Sequence, residues 1–405
     1  MTFKRRIITA IATGAVLVNA LAPMAFANTI TVSGNGENST SNVSLNSNTT
    51  TQVVQSNNAN ISNNVDSSSS TGGNSSNGNT GGNTSITTGS ATSNTTVSNA
   101  ANLNQANLSN CASCNSGATD VNVTGNGEHS DNTANVNNNS GVFVSQTNAA
   151  DISNNVDAKA KTGGNDATSN TGGNTSINTG AAKTNVTIGN AANANVAQVG
   201  NGGNGNSGGS SVTISGNGEY SDNGVVLNQD SAVVLTQVNE ANFDNKVKAE
   251  AKTGYNTANG NTNGTVSITT GSATSNAAVD NAANFNSASL DCGCATNGVG
   301  VDINTNGEDS SNYVTASLDN AIAPSQVNDQ GFWNGVFSNS KTGGNTSISN
   351  TGGSFDPSVT TGNGTSNNTV NNAGNVNTLG NLGTFTFGTT FDFSGLWGFL
   401  HGFMI

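Results

Sequence analysis

The chain predicts an all-β fold, a tandem-repeat β-solenoid, and three observations carry that expectation. Four Asn-Gly-Glu turns end at Glu37, Glu128, Glu219 and Glu308, in steps of 91, 91 and 89 residues. Landmarks inside each unit hold their offsets. Gln55, Gln146, Gln237 and Gln326 stand 18 residues after the Glu, and Thr-Gly pairs begin 34 residues after it at Thr71, Thr162, Thr253 and Thr342. Between these landmarks the sequence alternates with period two. A fixed period marks an array of stacked units, and period two puts alternate side chains on one face of extended backbone.

The N-terminus comes first. Lys4, Arg5 and Arg6 precede a short apolar run over residues 7–18, and Ala25-Phe26-Ala27 follows before Asn28. This three-part pattern is that of a secretory signal peptide over residues 1–27. The run is shorter than the roughly 20 residues that span a bilayer, so no transmembrane span is expected after cleavage. The expected localisation is secreted or extracellular, associated with the cell surface of a bacterium.

Four β-repeats then cover residues 28–118, 119–209, 210–299 and 300–383. In the second, Gln146, Asn148, Ala150, Ile152, Asn154, Val156, Ala158, Ala160 and Thr162 share one face, and Asp151, Asp157, Lys159 and Lys161 fall on the other. A second alternating segment carries Ala182, Thr184, Val186, Ile188, Asn190 and Ala192 there, and Ala273 to Phe285 through Ala283 in the third repeat. Thr-Gly-Gly-Asn sequences at Thr71, Thr80, Thr162 and Thr171 read as turns, since Gly accepts positive φ. Seventeen extended residues would span about 55 Å, far beyond the usual strand, so each run is expected to bend into two or three strands. The inward set is small, and its Asn and Gln suit side-chain amide ladders between coils. A row of β-sandwich or β-prism modules is the alternative architecture.

The Gln-x-Asn-x-Ala-x-Ile-x-Asn-x-Val face beginning at Gln55 and Gln146 resembles the alternating Gln/Asn/Ala faces of curlin-type fibre subunits. The whole chain is similar to exported bacterial Asn/Thr/Gly-rich repeat proteins. The first resemblance implies self-association into cross-β fibres.

Charge and composition exclude some functions. Removing residues 1–27 leaves seven Lys, no Arg and 23 acidic residues, a net charge of −16. Nucleic-acid binding, which relies on cations at phosphate, is not expected. The chain has two His, His129 and His401, neither at a repeated position, and no nucleophile-elbow, zinc-protease or P-loop motif. The expectation is therefore a protein without catalytic activity and without a cofactor, calcium excepted. Calcium could meet paired carboxylates at Glu128 with Asp131 and at Glu219 with Asp222; alternatively the Glu of each turn is solvated and caps nearby amides.

Two features lie outside the repeat pattern. Cys111 and Cys114 close the first repeat, and Cys292 and Cys294 the third; in an exported chain these are expected to form disulfides. Residues 384–405 hold seven of the 19 aromatics, among them Phe391, Phe393, Trp397 and Phe399. They are expected either to cap the last coil or to attach the protein to the cell envelope or another surface component. The leading functional expectation is a structural or adhesive surface protein. A self-assembling fibre subunit and a calcium-binding or ice-binding extracellular protein, the latter through faces such as Thr84 to Thr88, are the alternatives.

Overall fold

The computed structural model describes residues 18–19, 28–108, 119–200, 210–290, 299–352 and 357–380. Each repeat forms one coil of a single β-solenoid, and adjacent coils pair throughout as parallel strands. A two-residue strand, β1 (Val18–Asn19), precedes the coils. Coil 1 holds β2 (Asn28–Ser33), β3 (Thr40–Gly72), β4 (Thr84–Thr88) and β5 (Ala91–Leu108). Coil 2 holds β6 (Thr119–Thr124), β7 (Asp131–Gly163), β8 (Thr175–Thr179) and β9 (Ala182–Val199). Coil 3 holds β10 (Ser211–Ser215), β11 (Asp222–Lys252), β12 (Val266–Thr270) and β13 (Ala273–Leu290). Coil 4 holds β14 (Gly300–Asn304), β15 (Ser311–Lys341), β16 (Ser358–Thr361) and β17 (Gly364–Leu379). Equivalent strands stack into four sheets, and β1 adds to the edge of the β5 sheet by pairing with Ala106 and Asn107.

Register follows the sequence period. Gln55 pairs with Gln146, Gln146 with Gln237 and Gln237 with Gln326. The shorter last step is confined to connections. β14 and β15 pair at an offset of 89, as in Val212 with Val301, whereas β16 and β17 return to 91, as in Ala273 with Gly364. Thus two residues are lost before β14 and two regained between Thr351 and Ser358. A one-residue slip inside a strand would turn its interior face outward, and length changes are tolerated only where no face is specified.

Each coil is two layers thick. The interior of β7 faces β9, with residue numbers running in opposite directions across the core. Gln146 Nε2 donates to Val196 O at 3.0 Å, Asn154 Nδ2 to Asn190 Oδ1 at 3.1 Å and Thr162 Oγ1 to Gly180 O at 2.9 Å. The first part of β7 instead faces β6, where Ala134 and Val136 pack with Val121 and Val123. β8 lies beyond the end of β7, and its Ile177 packs on Ala167. The expected alternation is observed in β7: Gln146, Asn148, Ala150, Ile152, Asn154, Val156, Ala158, Ala160 and Thr162 are all buried.

Two expectations need correction. The long runs do not bend into two or three strands: β3 and β7 each continue for 33 residues. Identical side chains stacked from coil to coil favour a sheet that stays extended, because ladders are lost wherever a strand turns away. The second alternating segment, by contrast, changes parity once. Asn102, Asn193, Asn284 and Asn375 have φ of 62°, 65°, 60° and 57°, and Asn193 and Asn284 drop out of the strand pairing that resumes at Ala194 with Phe285. Each is a single left-handed residue matched by its equivalent in the next coil, so neighbouring strands turn together, the 91-residue register is kept and the inward face shifts by one. Beyond it Asn284, Asn286 and Ala288 are buried, so Phe285 goes to the outer side although strict alternation would place it inside. Asn tolerates the left-handed region better than other residues with a Cβ, and here its amide is used: Asn193 Nδ2 donates to Glu240 O and to Asn284 Oδ1.

Candidate functional surfaces

The interior is an amide lattice between aliphatic columns. Gln146 Nε2 donates to Gln55 Oε1 at 2.8 Å, Gln237 to Gln146 at 2.8 Å and Gln326 to Gln237 at 2.7 Å. The Asn columns run in the other sense, toward coil 4. Asn63 donates to Asn154 and Asn154 to Asn245, while Asn99 donates to Asn190, Asn190 to Asn281 and Asn281 to Asn372, all at 2.7–2.8 Å. The two Asn columns also interlace across the core. Asn154 Nδ2 donates to Asn190 and Asn245, and its Oδ1 accepts from Asn63 and Asn99. All four hydrogen-bonding positions of a primary amide are filled.

The turns repeat a second amide column. The backbone N–H of Asn126 donates to Asn217 Oδ1 at 3.2 Å, and its Nδ2 donates to the same oxygen at 2.8 Å. The capping role expected of the turn Glu therefore belongs to the Asn two residues before it. Glu37 accepts only a side-chain bond, from Asn38 Nδ2 at 3.3 Å among the described contacts, and Glu128 lies 3.5 Å from His129 Nε2. The next residue in each turn is left-handed: Asn38, His129, Tyr220 and Asp309 have φ of 55–56°. His129 and Tyr220 stack there with centroids 5.1 Å apart. Asp131 and Asp222, the other calcium candidates, open the long strands and pair with each other in register. Among the described residues no group of three or more His, Cys, Asp or Glu converges for a metal ion.

The outer faces are polar and periodic. Asn94, Asn185, Asn276 and Asn367 form a surface ladder with steps of 2.8–2.9 Å. In the segment Thr84 to Thr88, Thr84, Ile86 and Thr88 point inward, so only Ser85 and Thr87 remain for a surface ligand. Charges cluster on the outer side of β7 and β11. Asp157 accepts from Lys159 Nζ at 2.6 Å and holds that ammonium's pKa above its ordinary value. Burial pushes the Glu250 carboxyl up, but the hydrogen bond from Lys252 and the charges of Lys252, Lys248 and Lys161 outweigh it and leave it below the usual range. A depressed folded-state pKa contributes stability above the unfolded value and loses it as pH falls through the folded one. Glu250→Gln should therefore weaken the acid-induced fall in stability below about pH 4.5, as read from urea midpoints at pH 3 to 7. An unchanged acid limb would contradict the pairing.

The two ends of the stack differ in chemistry. In the last coil, interior-facing Val301, Ile303 and Ile322 are 49%, 44% and 53% exposed, because no further coil covers them among the described residues. Asn334 and Asn372 there end the interlaced Asn columns, their oxygens accepting from Asn245 and Asn281 of coil 3 so that Nδ2 lies toward the open side, and coil 1 begins these columns with Asn63, whose Nδ2 is directed at coil 2. Sequence reasoning missed this polarity, since an amide's orientation leaves no trace in residue identity.

The remaining candidates lie outside the described residues: Cys111, Cys114, Cys292 and Cys294, and the attachment residues Phe391, Phe393, Trp397 and Phe399. No helix among the described residues is long and apolar enough to cross a membrane. No protein-family model, no curated protein and no solved structure matches the chain.

Proposed function

We propose that the chain is an exported, non-catalytic structural protein of the bacterial cell surface that presents stiff polar faces for adhesion. The single observation that supports this best is the interlaced amide lattice. It stiffens the stack, with interior amides such as Asn154 hydrogen-bonded both along and across it. The signal-like residues 1–27 supply export, the cysteine pairs suit an oxidising compartment, and Trp397 and Phe399 supply attachment to the envelope. Amine-reactive labelling of intact cells, followed by fractionation, tests the reading. Mature chain lacking residues 1–27 should be labelled and envelope-bound, and Trp397→Ala with Phe399→Ala should release it to the medium. Labelling only after lysis would defeat the proposal.

The polarity of the two ends favours a second reading, a head-to-tail fibre subunit. Donors at coil 4 are complementary to acceptors at coil 1, and loss of residues 1–27 would also remove β1 from the coil 1 edge. Purified mature protein would then lengthen into filaments with an axial repeat of about 4.7–4.8 Å. A mass independent of concentration would count against it.

A further inference from the structure

The open end of the β2–β6–β10–β14 sheet has a matching strand in the chain's own sequence. Val121, Val123, Val212 and Ile214 are fully buried, each sandwiched between coils, but Val301 and Ile303 of β14 are about half exposed. Gly300 N donates to Ser210 O at 2.9 Å. Peptide groups alternate in direction along a strand, so the N–H groups of Val301 and Ile303 face away from β10, toward the open side.

The short strand and the turn after it have a constant pattern: polar, apolar, polar, apolar, polar, then a turn residue. It reads Thr-Ile-Thr-Val-Ser-Gly at residues 29–34, Asp-Val-Asn-Val-Thr-Gly at 120–125, Ser-Val-Thr-Ile-Ser-Gly at 211–216 and Gly-Val-Asp-Ile-Asn-Thr at 300–305. Residues 390–395 read Thr-Phe-Asp-Phe-Ser-Gly. From Val32 through Val123, Ile214 and Ile303 to Phe393, the steps are 91, 91, 89 and 90. The earlier Phe385 and Phe387 alternate too, but they lie six residues short of this spacing and lack the Ser-Gly. The connection is also of the right length: 11 residues separate Leu379 from Thr390, against 12 from its equivalent Ala288 to Gly300 and 14 from Ala197 to Ser211. Gly395 falls where Gly34, Gly125 and Gly216 have φ of 66–69°. After it the repeat stops, with Leu396-Trp397 in place of the Asn-Gly whose amide continues the turn column.

We propose that residues 390–395 form a fifth parallel strand on β14, with Phe391 over Val301 and Phe393 over Ile303, closing this end of the sheet. Phe suits a last layer, since one large ring covers the area that two further coils would otherwise share. This divides the aromatic segment by role. Phe391 and Phe393 belong to the fold, and the residues beyond Gly395 are left for attachment. The proposal stands independently of the surface function.

Amide hydrogen exchange of the full mature chain tests it. The N–H groups of Val301 and Ile303 should exchange at least about 100-fold more slowly than an open edge allows. In Phe391→Ser/Phe393→Ser that protection should vanish while Val212 and Ile214 remain protected, which shows an intact solenoid. Trp397→Ala/Phe399→Ala should leave it unchanged. Unprotected Val301 and Ile303 in the unmodified chain would overturn the proposal without any variant. So would protection that persists in the Phe double variant, or that rises with protein concentration alongside a doubled mass in light scattering, which would assign the edge to a second copy.

Discussion

Asn154→Asp should destabilise the solenoid by about 3–5 kcal/mol at neutral pH, although the two side chains have nearly the same shape. Asn154 Nδ2 donates to Asn190 and Asn245, and its Oδ1 accepts from Asn63 and Asn99. A carboxylate keeps the two acceptances and loses both donations. It also sets a negative oxygen against two carbonyl oxygens in a dry interior, since Asn154, Asn190 and Asn245 are all buried. Desolvation and those neighbours raise the new carboxyl's folded-state pKa above its unfolded value of about 3.9. The folded state then holds the proton longer, so the penalty is full above the folded pKa and shrinks as pH falls toward 4. Urea unfolding at pH 4 and pH 7 reads this as a larger loss at pH 7. Asn155→Ala provides the contrast. Its amide donates to Asn64 on the exposed surface at 2.8 Å, and its loss should cost less than about 0.5 kcal/mol. Equal effects at the two positions would mean that the interior lattice contributes nothing special.

The second large effect is expected at a glycine. Gly163 has φ of +101°, and a Cβ there would lie 2.0 Å from Gly254 O, a backbone atom of the next coil. Gly72 and Gly254 meet the same obstacle, at 2.0 Å from Gly163 O and Gly343 O. Neither problem has a local remedy, because moving Gly254 O would break the stack and the φ value is unfavourable for any L side chain. Gly163→Ala should cost about 3–5 kcal/mol and lower the thermal midpoint, as followed by circular dichroism. The same substitution at Gly73 is a control that separates the two causes. Its φ is +70°, but nothing lies within 4 Å of the added atom, so only the conformational part of about 1–2 kcal/mol should remain. A Gly163→Ala loss no larger than at Gly73 would show that adjacent coils can part without cost.

These two positions show how differently parts of the fold were legible. Asn154 could be assigned to the interior from Gln146 and Val156 on the same period-two face, and its stacking on Asn63 and Asn245 from the 91-residue step. Its cross-layer partner Asn190 could not be assigned. Which residue of the second segment faces it depends on where the turn at Gly163 and Gly164 ends. The long strands were misjudged because a usual strand length was applied where stacking overrides it. The left-handed turn at Asn193 was not legible because Asn is so frequent in this chain that a left-handed Asn has no distinguishing context. The calcium candidates Glu128 and Asp131 were close in sequence, yet they open onto a turn column and a strand start that bring no third carboxylate together among the described residues.

Sequence by itself determined the class, the period, the coil-to-coil register and the interior face of the long strand. All of these follow from repetition and alternation, which are one-dimensional properties. Only the tertiary structure decided which strands oppose one another across the core, the sense in which each amide column donates, and the unequal chemistry of the two ends. Those depend on how two layers close on each other in space, and on the choice between two hydrogen-bonding directions that have the same residue at every step.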